Sequence, residues 1–93
     1  MSTAQLHRFR AEVTVRVPRN GDGDLISEAT RRLETTEVEQ LAIIALGGVQ
    51  PGLSATVVTV ETQVETAETD AQRVASALST APGVEQVSEV RRA

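Results

Sequence analysis

Phe9-Arg10-Ala11-Glu12-Val13-Thr14-Val15-Arg16-Val17 alternates without a fault: Phe9, Ala11, Val13, Val15 and Val17 fall on one side, and Arg10, Glu12, Thr14 and Arg16, with Arg8 before them, on the other. A period of two over nine residues is the pattern of a strand with one face buried and one face wet. Pro18 ends it, because proline has no N–H to give to a ladder.

Downstream, Arg19-Asn20-Gly21-Asp22-Gly23-Asp24 is a run of turn formers that delivers a helix cap. Leu25, Ile26, Ala29 and Leu33 then recur at helical spacing, with Glu28, Arg31, Arg32 and Glu34 on the polar side and Asp24 as N-cap. Val38 to Leu46 is the most apolar stretch. Its length, between threonines and Gly47-Gly48, predicts a strand apolar on both faces. Gly48 to Gly52 is expected to turn, with Pro51-Gly52 at the centre of a type II turn. The next strand, Leu53 to Glu65, puts Val58, Val60 and Val64 on one face and Val57, Thr59, Glu61 and Gln63 on the other. Thr69-Asp70-Ala71-Gln72 has the spacing of a capping box ahead of a helix with the stripe Ala71, Val74, Ala75 and Leu78. Pro82-Gly83 stops that helix, and Val84 to Val90 forms a last strand. Its valines are spaced by three, which fits neither period and predicts a bulge or a late start.

The order β-α-β-β-α-β predicts an α+β, ferredoxin-like sandwich: an antiparallel sheet ordered 4-1-3-2 with both helices on one face. One domain is expected, folded from residue 8 to 91 with residues 1–7 outside it. The predicted core is Phe9, Val13, Val15, Val58, Val60, Ile26, Leu33, Val74 and Leu78. In this order the second strand is an edge, and Leu41, Ile43, Ile44 and Leu46 leave that edge uncharged and apolar. Such edges are normally blunted or covered, so these four residues are the candidate interface for a protein partner or a second copy.

Composition narrows the function classes. The chain has 93 residues and a net charge of -4, and nine arginines are its entire Lys+Arg content, so it lacks the clustered basic surface that phosphate backbones require. No nucleic-acid partner is expected. Phe9 is the sole aromatic and points inward, which removes the base-stacking platform of the RNA-recognition fold. Zero cysteines remove thiolate metal sites and the Cys pair of heavy-metal-associated domains. No apolar run approaches the ~20 residues of a membrane span, so the chain as written is expected to be soluble. Nothing in 93 residues excludes its being one piece of a longer protein.

No set of base, nucleophile and oxyanion donor converges in the pattern, so no enzyme, cofactor or catalytic residue is expected. Asn20-x-Asp22-x-Asp24 has the opening rhythm of a calcium loop, but Leu25 and Arg31 stand where Gly and Glu are required. A turn with a cap explains it, and no specific Mg²⁺ binding is expected. His7 is a single histidine where a transition-metal site needs several ligands. Gly47-Gly48-Val49-Gln50-Pro51-Gly52 imitates an acylphosphatase cradle in the wrong connection and without its arginine. The row Arg8, Arg10, Arg16 is interrupted by Glu12 and neighbours Glu61, which makes it a solvated face.

Gly23-Asp24-Leu25 and the ending Leu78 to Val87 resemble ACT-like regulatory domains. Phe9-Arg10-Ala11-Glu12-Val13-Thr14-Val15 and the closing Pro82-Gly83-Val84-Glu85-Gln86-Val87 are similar to the C-terminal cytoplasmic domain of the MgtC/SapB family of inner-membrane proteins. The resemblance implies a soluble, non-catalytic tail on the cytoplasmic side of a multi-span membrane domain. It also implies a link to growth in low magnesium and, in pathogens, to survival inside host cells. In ACT domains small ligands, often amino acids, bind at the loop after the first strand. By that resemblance Asn20, Gly21, Asp22, Gly23 and Asp24 are the candidate ligand site, and an amino-acid-sensing domain of a soluble metabolic enzyme is the alternative function.

Overall fold

The computed structural model of the chain describes residues 5–18, 24–34 and 36–93. Their elements run β1 (His7–Pro18), α1 (Leu25–Leu33), β2 (Gln40–Pro51), β3 (Ala55–Thr66), α2 (Ala71–Ser79) and β4 (Val84–Arg92). The four strands form one antiparallel sheet in the order β2-β3-β1-β4, the expected 4-1-3-2 order read from the other edge. This is an α+β architecture compatible with a ferredoxin-like fold.

β1 is central because both of its neighbours can use its alternation. Phe9, Val13 and Val15 stand opposite Val64, Val60 and Val58 of β3, while the other face pairs Arg8 with Glu65, Glu12 with Glu61 and Thr14 with Thr59. The inward residues Phe9, Ala11, Val13, Val15 and Val17 are all buried, in one cluster with Leu33 of α1 and Val74 and Leu78 of α2. Both helices therefore cover the same face of the sheet. Thr62 is buried among them, and its hydroxyl donates to the Ala11 carbonyl at 3.0 Å, so its burial leaves no polar group unmet. His7, expected in the frayed terminus, is the first residue of β1, with Nδ1 3.0 Å from Nη2 of Arg92.

Three local expectations are corrected. Ile26 is 37% exposed rather than core, because the buried stripe of α1 runs through Leu25, Ala29 and Leu33 in steps of four, and Ile26 lies about 100° round the helix. Glu28, assigned to the polar side, is only 5% exposed. It is tolerated there because Arg32 (2.8 Å) and Arg31 (3.3 Å) both pair with its carboxylate. The capping box at Thr69 does not form: Asp70 caps α2, its Oδ1 accepting from the Gln72 N–H at 2.9 Å, while Glu68 Oε1 takes the N–H groups of Thr69 and Asp70.

Asp24 caps α1 as expected, accepting from the Ser27 N–H at 2.8 Å. That backbone bond first, then the Ser27 hydroxyl and the Ile26 N–H, holds its carboxyl below the ordinary carboxylate value against a smaller opposing effect of desolvation. A carboxyl with a depressed folded-state pKa adds stability that is present above its unfolded value and lost as pH falls through the lowered one. The thermal midpoint of the wild type is thus expected to fall toward that of Asp24→Asn on acidification, and calorimetry of both proteins from about pH 5 to pH 2 measures it. A gap between the two that does not change with pH would refute the contribution of the Asp24 charge.

Candidate functional site

Both edge strands depart from regular pairing, and they do so twice each. Along β4 the register shifts between Arg10 and Glu12 and again between Thr14 and Val15 of β1, so β4 inserts extra residues around Glu89 and at Glu85. Glu89, at the first of these insertions, takes the left-handed backbone conformation, φ 52°. These bulges account for the valine spacing of three: Val84 meets Val15, Val87 meets Val13, and all three valines pack on the core. β2 has the same construction. Its register shifts between Ile43 and Ala45 and between Leu46 and Gly48, which aligns Leu41, Ile43, Leu46 and Val49 with Val64, Thr62, Val60 and Val58 of β3. Cross-strand partners share a face, so all four point to the helix side.

The same backbone device carries opposite side chains on the two edges. β4 places Glu85 and Glu89 at its bulges and ends in Arg91-Arg92, the charges that keep an edge from pairing with other chains. β2 places Ile44 and Gly47 at its bulges. From Gln40 through Val60 the chain has no charged residue. Cover is lost along β2: Leu41 and Ile43 are half-buried against the core, whereas Ile44, Leu46 and Val49 are 42%, 50% and 43% exposed. A nine-residue helix is about 14 Å long and a twelve-residue strand about 40 Å, so α1 cannot roof the whole edge.

The predicted end of β2 at Leu46 and turn at Gly48 to Gly52 are corrected. The strand continues to Pro51, because the bulges let Gly47 and Gly48 stay in the sheet, and the connection to β3 is Gly52-Leu53-Ser54. A Cβ on Gly47 would lie 3.3 Å from the Thr59 carbonyl oxygen, so glycine suits the bulge. Leu53, expected to open β3, sits in this connection fully exposed. Among the interface candidates, then, Leu41 and Ile43 anchor the edge and Ile44 and Leu46 present it. Val49 and Leu53 join them and were missed because a Gly-Gly pair reads as a strand end.

Of the candidate ligand residues, Asn20, Gly21, Asp22 and Gly23 lie outside the described residues, and Asp24 is occupied as a helix cap. Among the described residues no three His, Cys, Asp or Glu side chains are placed to hold a metal ion. The open face of the sheet is charge-paired: Arg8 meets Glu65 at 3.1 Å, and Arg91 and Arg10 reach Glu61 at 3.3 and 3.9 Å. Among the described residues no helix is long and apolar enough to cross a membrane. No protein-family model, curated protein or solved structure matches the chain.

Proposed function

We propose that this chain is a non-catalytic, ACT-like regulatory or interaction domain that docks through β2. We further propose that it is the soluble tail of an MgtC-type membrane protein serving adaptation to low magnesium and intracellular survival. One observation supports docking: an edge strand with Ile44, Leu46 and Val49 exposed, on a stretch without a charge, in a sheet whose other edge is guarded by Glu85 and Glu89. Large apolar side chains gathered on an unguarded edge are the mark of a surface that is covered in use. The MgtC-type assignment is supported by the resemblance of Phe9 to Val15 and Pro82 to Val87 alone.

A photo-crosslinking amino acid at position 46, compared with one at position 89 in the same protein produced in its own cells, tests the docking. Adducts are expected from 46 and not from 89; equal yields from both, or none from 46, would refute it. The membrane assignment has its own measurement, because the polypeptide that carries this domain is then expected to sediment with the cell membrane and to leave it only in detergent. Recovery in the soluble fraction refutes it.

A further inference from the structure

We infer that the occupant of the β2 edge is a second copy of this chain, held by a two-fold axis through the middle of β2 that seats Leu53 of each copy in a cleft at the foot of β2 in the other. This rests on the docking surface proposed above and says what covers it.

Three observations carry it. Across a two-fold axis a charge close to the axis meets its own copy and is repelled, and the run from Gln40 to Val60, which holds the axis, has no charge. The ends of β2 are complementary in shape: past Pro51 the fully exposed Leu53 projects, and beside Gln40 lies an open cleft of about 90 Å³ between α1 and the start of β2, with Leu33, Val38 and Leu41 on its apolar side and Glu34, Thr36 and Glu39 at its polar rim. An axis at the midpoint of Gln40–Pro51 exchanges those ends, so Leu53, two residues beyond one end, falls opposite Val38, two residues before the other. The apolar side of that cleft, Leu33, Val38 and Leu41, gives the four carbons of a leucine side chain a surface to pack on. Charge agrees as well. Glu34 and Glu39 lie at the cleft, and Leu53 arrives with Arg16, whose Nη2 is 3.3 Å from the neighbouring Ser54 hydroxyl.

The size is adequate. An edge about 40 Å long on a molecule 20 Å thick offers on the order of 800 Å² per copy, the scale of a specific interface. The two bulges interrupt the regular ladder of β2, so the copies meet through side chains rather than as one continuous sheet.

The test is sedimentation of the 93-residue chain with Leu53→Asp beside it. The wild type is expected to dimerise below about 100 µM, and Leu53→Asp to raise the dissociation constant ~10-fold or more. Because Leu53 is fully exposed, its replacement is expected to leave the far-ultraviolet circular dichroism and the melting of the dilute monomer unchanged. The chain has no cysteine, so an equimolar mixture of Val38→Cys and Leu53→Cys reports the register directly. Oxidation is expected to link one variant to the other. A monomeric wild type, a Leu53→Asp protein that associates as the wild type does, or Leu53→Cys linking only to itself would each overturn the proposal. A chain monomeric in the centrifuge whose position-46 probe still traps a different protein in cells loses the second copy and keeps the docking surface. Absence of both loses both.

Discussion

Phe9→Ala is expected to remove about 3–5 kcal/mol of stability, the largest loss available from a single side chain in this protein. Phe9 is the one aromatic residue, it is fully buried in the central strand, and Val64 stands opposite it. Every other side chain in the core cluster is aliphatic and smaller than its ring, so truncation opens a cavity that no neighbour can reach across to fill. The Arg92 guanidinium lies 5.4 Å from the ring centroid, and removing the ring also removes that attraction, worth ~0.5–1 kcal/mol at an exposed site. A domain of this size has about 5–15 kcal/mol in total, so the loss runs from about a fifth of it to all of it. Urea denaturation measures the loss as a fall in midpoint at unchanged slope, with Phe9→Leu expected to retain most of the wild-type value. A loss under ~1.5 kcal/mol would show that the cluster relaxes around the gap.

Gly83→Val comes next in size, and its cause is the backbone. Gly83 has φ 83°, a conformation that costs a β-branched residue about 1–3 kcal/mol. A Cβ there would also lie 2.8 Å from the Arg16 carbonyl oxygen, which has no room to retreat because the Arg16 N–H donates to the Gly83 carbonyl at 2.7 Å. The turn must swing away from β1, and that hydrogen bond is lost with it. The expected result is a total loss larger than the φ cost alone, together with faster amide exchange at Arg16 than at Val13 in the same strand. Gly83→Ala is expected to be milder but of the same sign. Unchanged exchange at Arg16 would show that β1 and the Pro82-Gly83 turn are not coupled. Pro82-Gly83-Val84 thereby acquires a structural reason: glycine is required where the α2–β4 connection passes against the end of β1.

Much of the architecture was legible because its signals are local. The alternation of Phe9 to Val17, the helical spacing of α1 apart from Ile26, the Asp24 cap and the stop ahead of Pro82-Gly83 each depend on neighbours in sequence, and each is found where the pattern put it. What was misread depended on neighbours in space. Ile26 has helical spacing but faces away from the sheet, and Glu28 is charged but lies on the inner flank, paired with two arginines of its own helix. Thr69 has the spacing of a cap, yet Asp70 takes the role because Glu68 satisfies the N–H groups ahead of the helix.

The candidate interface was half legible for the same reason. That Leu41 to Leu46 is an uncharged edge follows from composition and strand order. Its extension through Gly47-Gly48 to Val49 and Pro51 does not, because a bulge is defined by the partner strand: two residues of β2 oppose one of β3, and only the pairing shows it. By itself the amino-acid order determined which segments are strands and helices, since alternation and helical spacing are set by covalent geometry. Only the tertiary structure decided that β2 and β4, bulged alike, present Ile44 to solvent on one rim and Glu85 and Glu89 on the other. Register and cover come from what lies alongside, and no residue carries them in its own chemistry.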